Sequence, residues 1–128
     1  MTLQQSSEAE VKKFVILWVP PGLNVQLRMH WAVRRRLTET AAMYIASQIG
    51  QNARSETSRV WVSVQMYRYN GMDKDGAMGG CKPIFDALVR LGWAKDDRPE
   101  FMEQIVLPVK IERGKNRHDR TEITLKVL

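Results

Sequence analysis

The feature that most constrains the fold is the strict alternation of residues 59–69, RVWVSVQMYRY. Val60, Val62, Val64 and Met66 would face one side of a strand, and Trp61, Ser63, Gln65 and Tyr67 would face the other. Successive side chains of a β-strand point to opposite faces of a sheet, so a period of two predicts a strand with one buried face. The chain must therefore build a sheet and cover one face of it.

Three other segments are predicted to be strands of that sheet. Residues 12–19, KKFVILWV, form an apolar run that stops at a Pro-Pro-Gly turn, which indicates a buried strand. Residues 104–112 contain Pro108, which favours an edge strand or a bulge because proline cannot donate to a sheet. Residues 121–128 alternate cleanly, and the basic segment before them, RGKNRHD, is predicted to be a hairpin loop.

Two helices are predicted between the strands. Residues 31–50 place most of their apolar side chains on one face and end at Gly50. Residues 82–91 have Pro83 in the first turn and a following Gly92, and their apolar face consists of Ile84, Ala87, Leu88 and Leu91. The glycine-rich residues 70–80, and the segment GLNVQLRMH before the first helix, are predicted to be loops.

The predicted order is β-α-β-α-β-β, an α/β (α+β) domain with a mixed sheet flanked by two main helices. A chain of 128 residues with 44% hydrophobic residues fits one domain, assigned to residues 12–128, after a polar and flexible segment at residues 1–11. That segment does not resemble a signal peptide, and no apolar run is long enough to span a membrane, so we expect an intracellular protein. The lone cysteine, Cys81, is expected to be structural.

The net charge of +6 is concentrated in two basic segments. The first carries Arg28, Arg34, Arg35 and Arg36, and the second carries Arg113, Lys115, Arg117 and Arg120. Such clusters favour a polyanionic partner, of which nucleic acid is the commonest, although a solvated charged face is the alternative. The four tryptophans lie within or beside apolar patterns, so they are expected to pack in the core or an interface rather than stack on bases.

Acidic residues interrupt this basic chain at both ends of residues 73–97, DKDGAMGGCKPIFDALVRLGWAKDD. Asp73 and Asp75 are two residues apart after a strand, and in extended chain their carboxylates would face the same way. Asp97 follows the second helix and can return to the same place. Three carboxylates around one point are hard oxygen ligands of the kind that Mg²⁺ prefers, although an Asp-x-Asp pair among glycines is more often a turn.

Lys82 and Asp86 lie four residues apart, so they share a helix face opposite the apolar one. A lysine there can hold a phosphate or balance its developing charge, whereas the alternative is a weak surface ion pair. The segment GAMGGCK does not match a phosphate-binding P-loop, because Pro83 stands where serine or threonine is required.

These motifs together resemble the RusA-type Holliday-junction resolvases. The resemblance rests on WVPPGLN followed by RMHW, and then on DKDG, KPIFDALVRLGWAKDD and their order and spacing. It runs from about Trp18 to the C-terminus, which is most of the chain. It is most specific over residues 73–97.

The resemblance implies a homodimeric α/β endonuclease that needs Mg²⁺ or Mn²⁺ and cuts four-way DNA junctions by paired nicks. The metal ligands would be Asp73, Asp75 and Asp97, with Lys82 as a further catalytic residue and Asp86 and Asp96 as secondary acidic candidates. Junction phosphates would be bound by both basic segments, the second being the predicted hairpin from Arg113 to Arg120. The DNA-binding residues would be Asn24, Arg28, His30, Arg34, Arg35, Arg36, Lys115 and Arg117.

The chain departs from the family pattern at two places. Gly76 stands where the family has asparagine after Asp-x-Asp, and the interval between Asp75 and Lys82 is longer. The first departure favours an alternative function, a catalytically silent DNA-binding module. A third reading is a basic structural protein whose acidic cluster is only a solvated loop.

Overall fold

The structure is a computed structural model that describes residues 10–52, 59–71, 74–114 and 118–128. Its strands are β1 (Glu10–Ile16), β2 (Val60–Arg68), β3 (Met102–Val106), β4 (Lys110–Ile111) and β5 (Arg120–Val127). Its helices are α1 (Leu23–Leu27), α2 (Trp31–Ile49), α3 (Lys74–Gly80) and α4 (Lys82–Arg90). The predicted α/β class is confirmed. No helix in these ranges has the length and apolar character needed to cross a bilayer.

The strands form one mixed sheet of five strands in the order β1-β5-β2-β3, with β4 also paired to β2. Strand β5 is antiparallel to both β1 and β2, whereas β3 and β4 run parallel to β2. The alternation predicted for β2 is confirmed, since the side chains of Val60, Val62, Val64 and Met66 are fully buried. Cross-strand partners place Val64, Ile123 and Phe14 in one row on that same face.

The core lies between this face of the sheet and the two long helices. The predicted apolar face of α4 is confirmed, because Ile84, Ala87, Leu88 and Leu91 are all buried in the same cluster. Helix α2 contributes Ala41, Ala42 and Ile45 to it. On the opposite face of the sheet, side chains such as Trp61 are only partly buried. The Lys126 ammonium lies 5.9 Å from the centre of the Trp61 ring.

Several predicted boundaries change in the structure. Strand β1 starts at Glu10, inside the segment expected to be flexible, and it is an edge strand whose Val11 and Val15 are exposed. The predicted strand at residues 104–112 is split into β3 and β4 around Pro108. Its edge position is confirmed, since β3 ends the sheet order.

The predicted hairpin before β5 is wrong. Strands β4 and β5 lie on opposite sides of β2, so the chain between them crosses over the end of β2. Strand β4 has only two residues, Lys110 and Ile111, so its sequence pattern does not indicate which strand it pairs with. Its pairing with Tyr67 and Arg68 of β2 decides the topology.

Two segments predicted to be loops are helical, namely α1 and α3. They pack so closely that a Cβ on Gly79 would lie 2.6 Å from the Leu23 side chain of α1, and one on Gly80 would lie 2.7 Å from the carbonyl oxygen of Pro21, just before α1. The buried Gln26 side chain joins the two helices by donating to the carbonyl oxygens of Pro21 at 2.6 Å and Gly80 at 3.0 Å. The glycines that suggested a loop therefore serve close helix packing.

Candidate active site

Lys82 is the centre of a charged cluster at the start of α4. Pro83 follows it in the first turn, where a missing backbone N–H costs nothing. The Lys82 ammonium donates to Asp86 Oδ1, one turn along the helix, and to Asp97 Oδ2, each at 3.1 Å. The Lys82 side chain is 66% exposed, so this ammonium joins two carboxylates and still faces solvent.

The loop after α4 brings Asp97 to that ammonium. Gly92 has φ +85°, and a Cβ there would lie 1.9 Å from the Asn52 carbonyl oxygen, so the turn that redirects the chain requires glycine. The next residues, Trp93 and Ala94, are buried and fix the loop to the core. Gln104 of β3 donates to the Asp97 carbonyl oxygen at 3.1 Å, which ties the loop to the sheet edge.

Asp96 shapes this loop without contacting Lys82. Its Oδ1 accepts from the Asp97 backbone N–H at 2.7 Å, and its Oδ2 accepts from Arg98 Nε at 2.8 Å. The backbone hydrogen bond is the main reason that the pKa of Asp96 is lowered below 3.8. Asp96 therefore remains ionised and holds the turn that presents Asp97.

The pKa values of Lys82 and Asp86 move in the same direction for different reasons. Partial burial lowers the pKa of Lys82, but its hydrogen bonds to Asp97 and Asp86 outweigh this effect and raise the pKa above 10.5. Burial raises the pKa of Asp86 above 3.8 and outweighs the attraction of Lys82. The cluster thus holds a firmly protonated ammonium against a carboxylate that is partly removed from water.

A groove beside the cluster lies between α1 and the start of α2 on one side and α3 and α4 on the other. Its volume is about 470 Å³, and its lining includes Trp31, Arg34, Arg35, Lys82 and Asp86. A second hollow of about 340 Å³ shares Arg35 and Asp86 and extends to Asp96 and Asp97. The charged cluster and the arginines of α2 therefore face one continuous surface.

The structure describes only part of the predicted metal site. Asp73 and the side chain of Asp75 lie outside what is described, whereas the backbone of Asp75 lies in helix α3. The premise that Asp75 continues an extended strand is therefore wrong, because its segment is helical. Among the described side chains, no group of three or more His, Cys, Asp or Glu residues is placed to hold a metal ion.

The first basic segment is exposed as predicted, but the second is not uniformly so. Asn24, Arg28, Arg34, Arg35 and Arg36 are exposed, and so is His30, whose Nδ1 accepts from the Ala32 backbone N–H at 3.2 Å and caps α2. Lys115 and Arg117 lie outside the described residues.

Two arginines of the second segment are bound within the protein. Arg120 donates to both carboxylate oxygens of Glu112, at 2.7 and 3.4 Å, and its guanidinium lies 4.0 Å from the centre of the Tyr67 ring. Arg113 donates to the Tyr69 carbonyl oxygen at 3.1 Å but remains exposed. The expectation that Arg120 holds DNA is therefore corrected, because its charge is already matched by Glu112.

The expectations for the cysteine and the tryptophans are confirmed only in part. Cys81 is buried and burial raises its pKa to about 12, which agrees with a structural role. Trp93 is buried, and Trp18 stacks on Tyr44 with ring centres 6.1 Å apart. Trp31, however, is 62% exposed and lines the groove, so of the two expected environments, the core and an interface, the core is wrong for this residue. The sequence also gave no sign of Gln26, which aligns α1 with α3 across this groove.

Comparisons with known proteins do not assign a family. A scan against protein-family models found no match to this chain. A search of curated proteins also found no significant match.

Proposed function

We propose that this protein is a metal-dependent endodeoxyribonuclease that cuts branched DNA, principally four-way junctions, in recombination or repair. The observation that carries the proposal is the sharing of the Lys82 ammonium between Asp86 and Asp97 at the edge of an arginine-lined groove. The order and spacing of the motifs, which resemble those of RusA-type resolvases, supply the reaction class.

Lys82 is the group best suited to meet a phosphate. Its raised pKa keeps the ammonium charged at neutral pH, and its exposure leaves donors for a substrate oxygen. A positive charge fixed beside a phosphodiester stabilises the negative charge that develops on its oxygens during cleavage. Asp86 and Asp97 hold this ammonium from two directions and so orient it before substrate arrives.

The donor chemistry fits a hard divalent cation. Asp97 presents a carboxylate to the same point as Asp86, and carboxylate oxygens are the ligands that Mg²⁺ and Mn²⁺ prefer. In the proposal, Asp73, Asp75 and Asp97 hold the ion, with Asp86 and Asp96 in supporting roles. Such an ion would activate a water molecule and neutralise charge on the phosphate.

The exposed arginines near the start of α2 account for DNA binding. Arg34 and Arg35 line the groove that contains Lys82, and Arg28 and Arg36 lie beside them along the chain. Phosphate contacts of this kind give affinity and orientation without reading sequence. A homodimer would carry two such sites, which matches the near two-fold symmetry of a four-way junction.

A second candidate is a DNA-binding module without cleavage. It is favoured by the ion pairs themselves, because the Lys82 ammonium already offsets one of the two negative charges of Asp86 and Asp97. Gly76, where the resembled family has asparagine, points the same way.

The two candidates are separated by a cleavage assay on a labelled synthetic four-way junction and on linear duplex of the same sequence, with Mg²⁺, Mn²⁺ or EDTA. We expect paired, symmetric nicks in the junction only when metal is present. Asp97→Asn and Asp75→Asn should each abolish cleavage and leave junction binding in EDTA intact.

The matched control is Glu103→Gln. Glu103 lies on the edge strand β3, and its exposed carboxylate pairs with Arg59. It should cleave at the wild-type rate. Tight junction binding without nicks under any metal would reject the nuclease and support the binding module.

A further inference from the structure

Trp31 is the only exposed one of the four tryptophans, all of which the structure describes, with 62% of its surface exposed on the first turn of a long helix. The His30 ring lies 5.6 Å from it, and the Arg35 guanidinium lies 5.9 Å from its centre. A tryptophan left open to water beside a guanidinium and a second ring offers a flat apolar surface with a positive charge near it.

The groove continues this surface. Leu23 and Leu27, one turn apart on α1, line its wall beside Trp31, and Gly79 and Pro83 lie across from them. Its volume of about 470 Å³ falls in the range of sites that enclose small organic groups. An apolar group with the size of a planar heterocycle can therefore enter.

The charges around the groove favour an anionic ligand. Its lining carries three cationic side chains, Arg34, Arg35 and Lys82, and one carboxylate, Asp86, which Lys82 already binds. A planar ring attached to phosphates satisfies both the aromatic wall and this cationic rim. A nucleotide has that combination, because every base has a face that stacks and every linkage has a charge.

We infer that this groove is a subsite for an unpaired nucleobase, which stacks on Trp31 while Arg34 and Arg35 bind the flanking phosphates. The inference rests on the proposed function for its substrate, DNA, and adds to it the means of selecting a branch. A base inside a duplex is stacked on both faces and cannot offer one to Trp31. Only a base released from the stack can do so, where a pair opens at the branch point of a junction or where a gap or bulge leaves a base unpaired, and this selects structure rather than sequence.

The test uses DNA that carries 2-aminopurine either at an unpaired position or in a fully paired duplex, in EDTA so that no cleavage occurs. Wild-type protein should quench the emission of the unpaired probe, because stacking on an indole quenches it, and should leave the paired probe unchanged. Trp31→Ala should lose the quenching and bind the unpaired substrate about tenfold more weakly, whereas Trp31→Phe should retain most of both.

Two further variants show whether the effect belongs to Trp31. Met43→Ala removes another exposed apolar side chain from α2, outside the lining of the groove, and should change nothing. Arg34→Ala should weaken binding to both DNAs alike and reduce the salt dependence of affinity by about one phosphate contact.

The inference is overturned if Trp31→Ala retains the quenching of the unpaired probe. It is also overturned if Trp31→Ala weakens binding to paired and unpaired DNA equally, or if sedimentation shows that this variant converts a dimer to monomers, since Trp31 would then belong to a subunit interface. The proposed nuclease fails separately: a wild-type protein that quenches the unpaired probe but never cuts a junction would retain the base subsite and lose the enzyme.

Discussion

Two ion-pair clusters in this protein use similar side chains in different ways. The first, the Lys82 cluster, consists of Lys82, Asp86 and Asp97 on the helical side of the molecule. The second, the Arg120 cluster, consists of Arg120 and Glu112 beside the Tyr67 ring at the end of β2. Both join a cation to a carboxylate at hydrogen-bonding distance.

The clusters differ in how completely the cation is used. Arg120 meets Glu112 with two donors, lies over an aromatic ring at 4.0 Å, and has a side chain that is only 23% exposed. Lys82 has a 66% exposed side chain and faces a groove. A planar guanidinium matched to one carboxylate is a structural contact, whereas an open ammonium between two carboxylates remains available to a ligand. Counting basic residues along the chain cannot make this distinction.

Removing Lys82 should have the largest effect on function. We expect Lys82→Ala to lower single-turnover cleavage of a four-way junction by about 100-fold or more, because it removes a positive charge at the reacting phosphate. Its free energy of unfolding in urea should change by less than about 1 kcal/mol, since the Lys82 side chain is 66% exposed and water can take its place beside the two carboxylates. Wild-type cleavage by this variant would reduce the Lys82 cluster to a surface ion pair.

Removing Arg120 should do the reverse. We expect Arg120→Ala to lower the free energy of unfolding by about 1.5 to 3 kcal/mol, because it removes two charge-assisted hydrogen bonds to Glu112 and the contact with the Tyr67 ring. Junction affinity and cleavage should remain close to wild type at a temperature where the variant is folded.

Arg120→Lys is the matched variant for this measurement, because lysine keeps the charge but cannot form the paired contact. Its stability should lie between those of wild type and Arg120→Ala. If Arg120→Ala is as stable as wild type and binds DNA poorly, the roles assigned to the two clusters are reversed.

The parts of the fold that the sequence predicts well are those set by local periodicity. The alternation of β2 and the apolar stripe of α4 each follow from the residues within one element, so their boundaries and buried faces agree with the structure. The contact between Asp97 and Lys82 was not predicted, since the expectation placed Asp97 near Asp73 and Asp75, whose side chains lie outside what the structure describes.

The parts that the sequence does not predict depend on distant contacts. Helix α3 contains Gly76, Gly79 and Gly80, which favour a loop in isolation, and its packing against α1 overrides that preference. The position of β4 and β5 on opposite sides of β2 depends on the pairing of each strand with β2, whereas the residues between them resemble a hairpin in sequence. Trp31 is exposed although it belongs to the apolar pattern of α2, so this pattern alone does not give its environment.

The smallest expected effect is a change in how the free energy of unfolding of the Lys82 cluster variants depends on pH. Burial raises the pKa of Asp86, so the folded protein holds this proton more tightly than the unfolded chain. As pH rises from the ordinary value of 3.8 through the raised pKa, the folded state therefore loses stability. Asp86→Asn removes that loss, so its stability relative to wild type should increase over this interval.

For Asp96, in the loop after α4, the pH dependence of stability has the opposite sign. Its pKa is lowered, chiefly by the Asp97 backbone N–H, so its contribution is present above 3.8 and is lost as pH falls through the lowered pKa. Asp96→Asn should therefore become less stable relative to wild type as pH rises. Urea unfolding of both variants between about pH 3 and 7 measures the two trends. If both variants show trends of the same sign, Asp86 is not a carboxylate that lowers the stability of the folded state. A charged group retained at a cost in stability is expected at a functional site, such as the Lys82 cluster, and not in the Arg120 cluster.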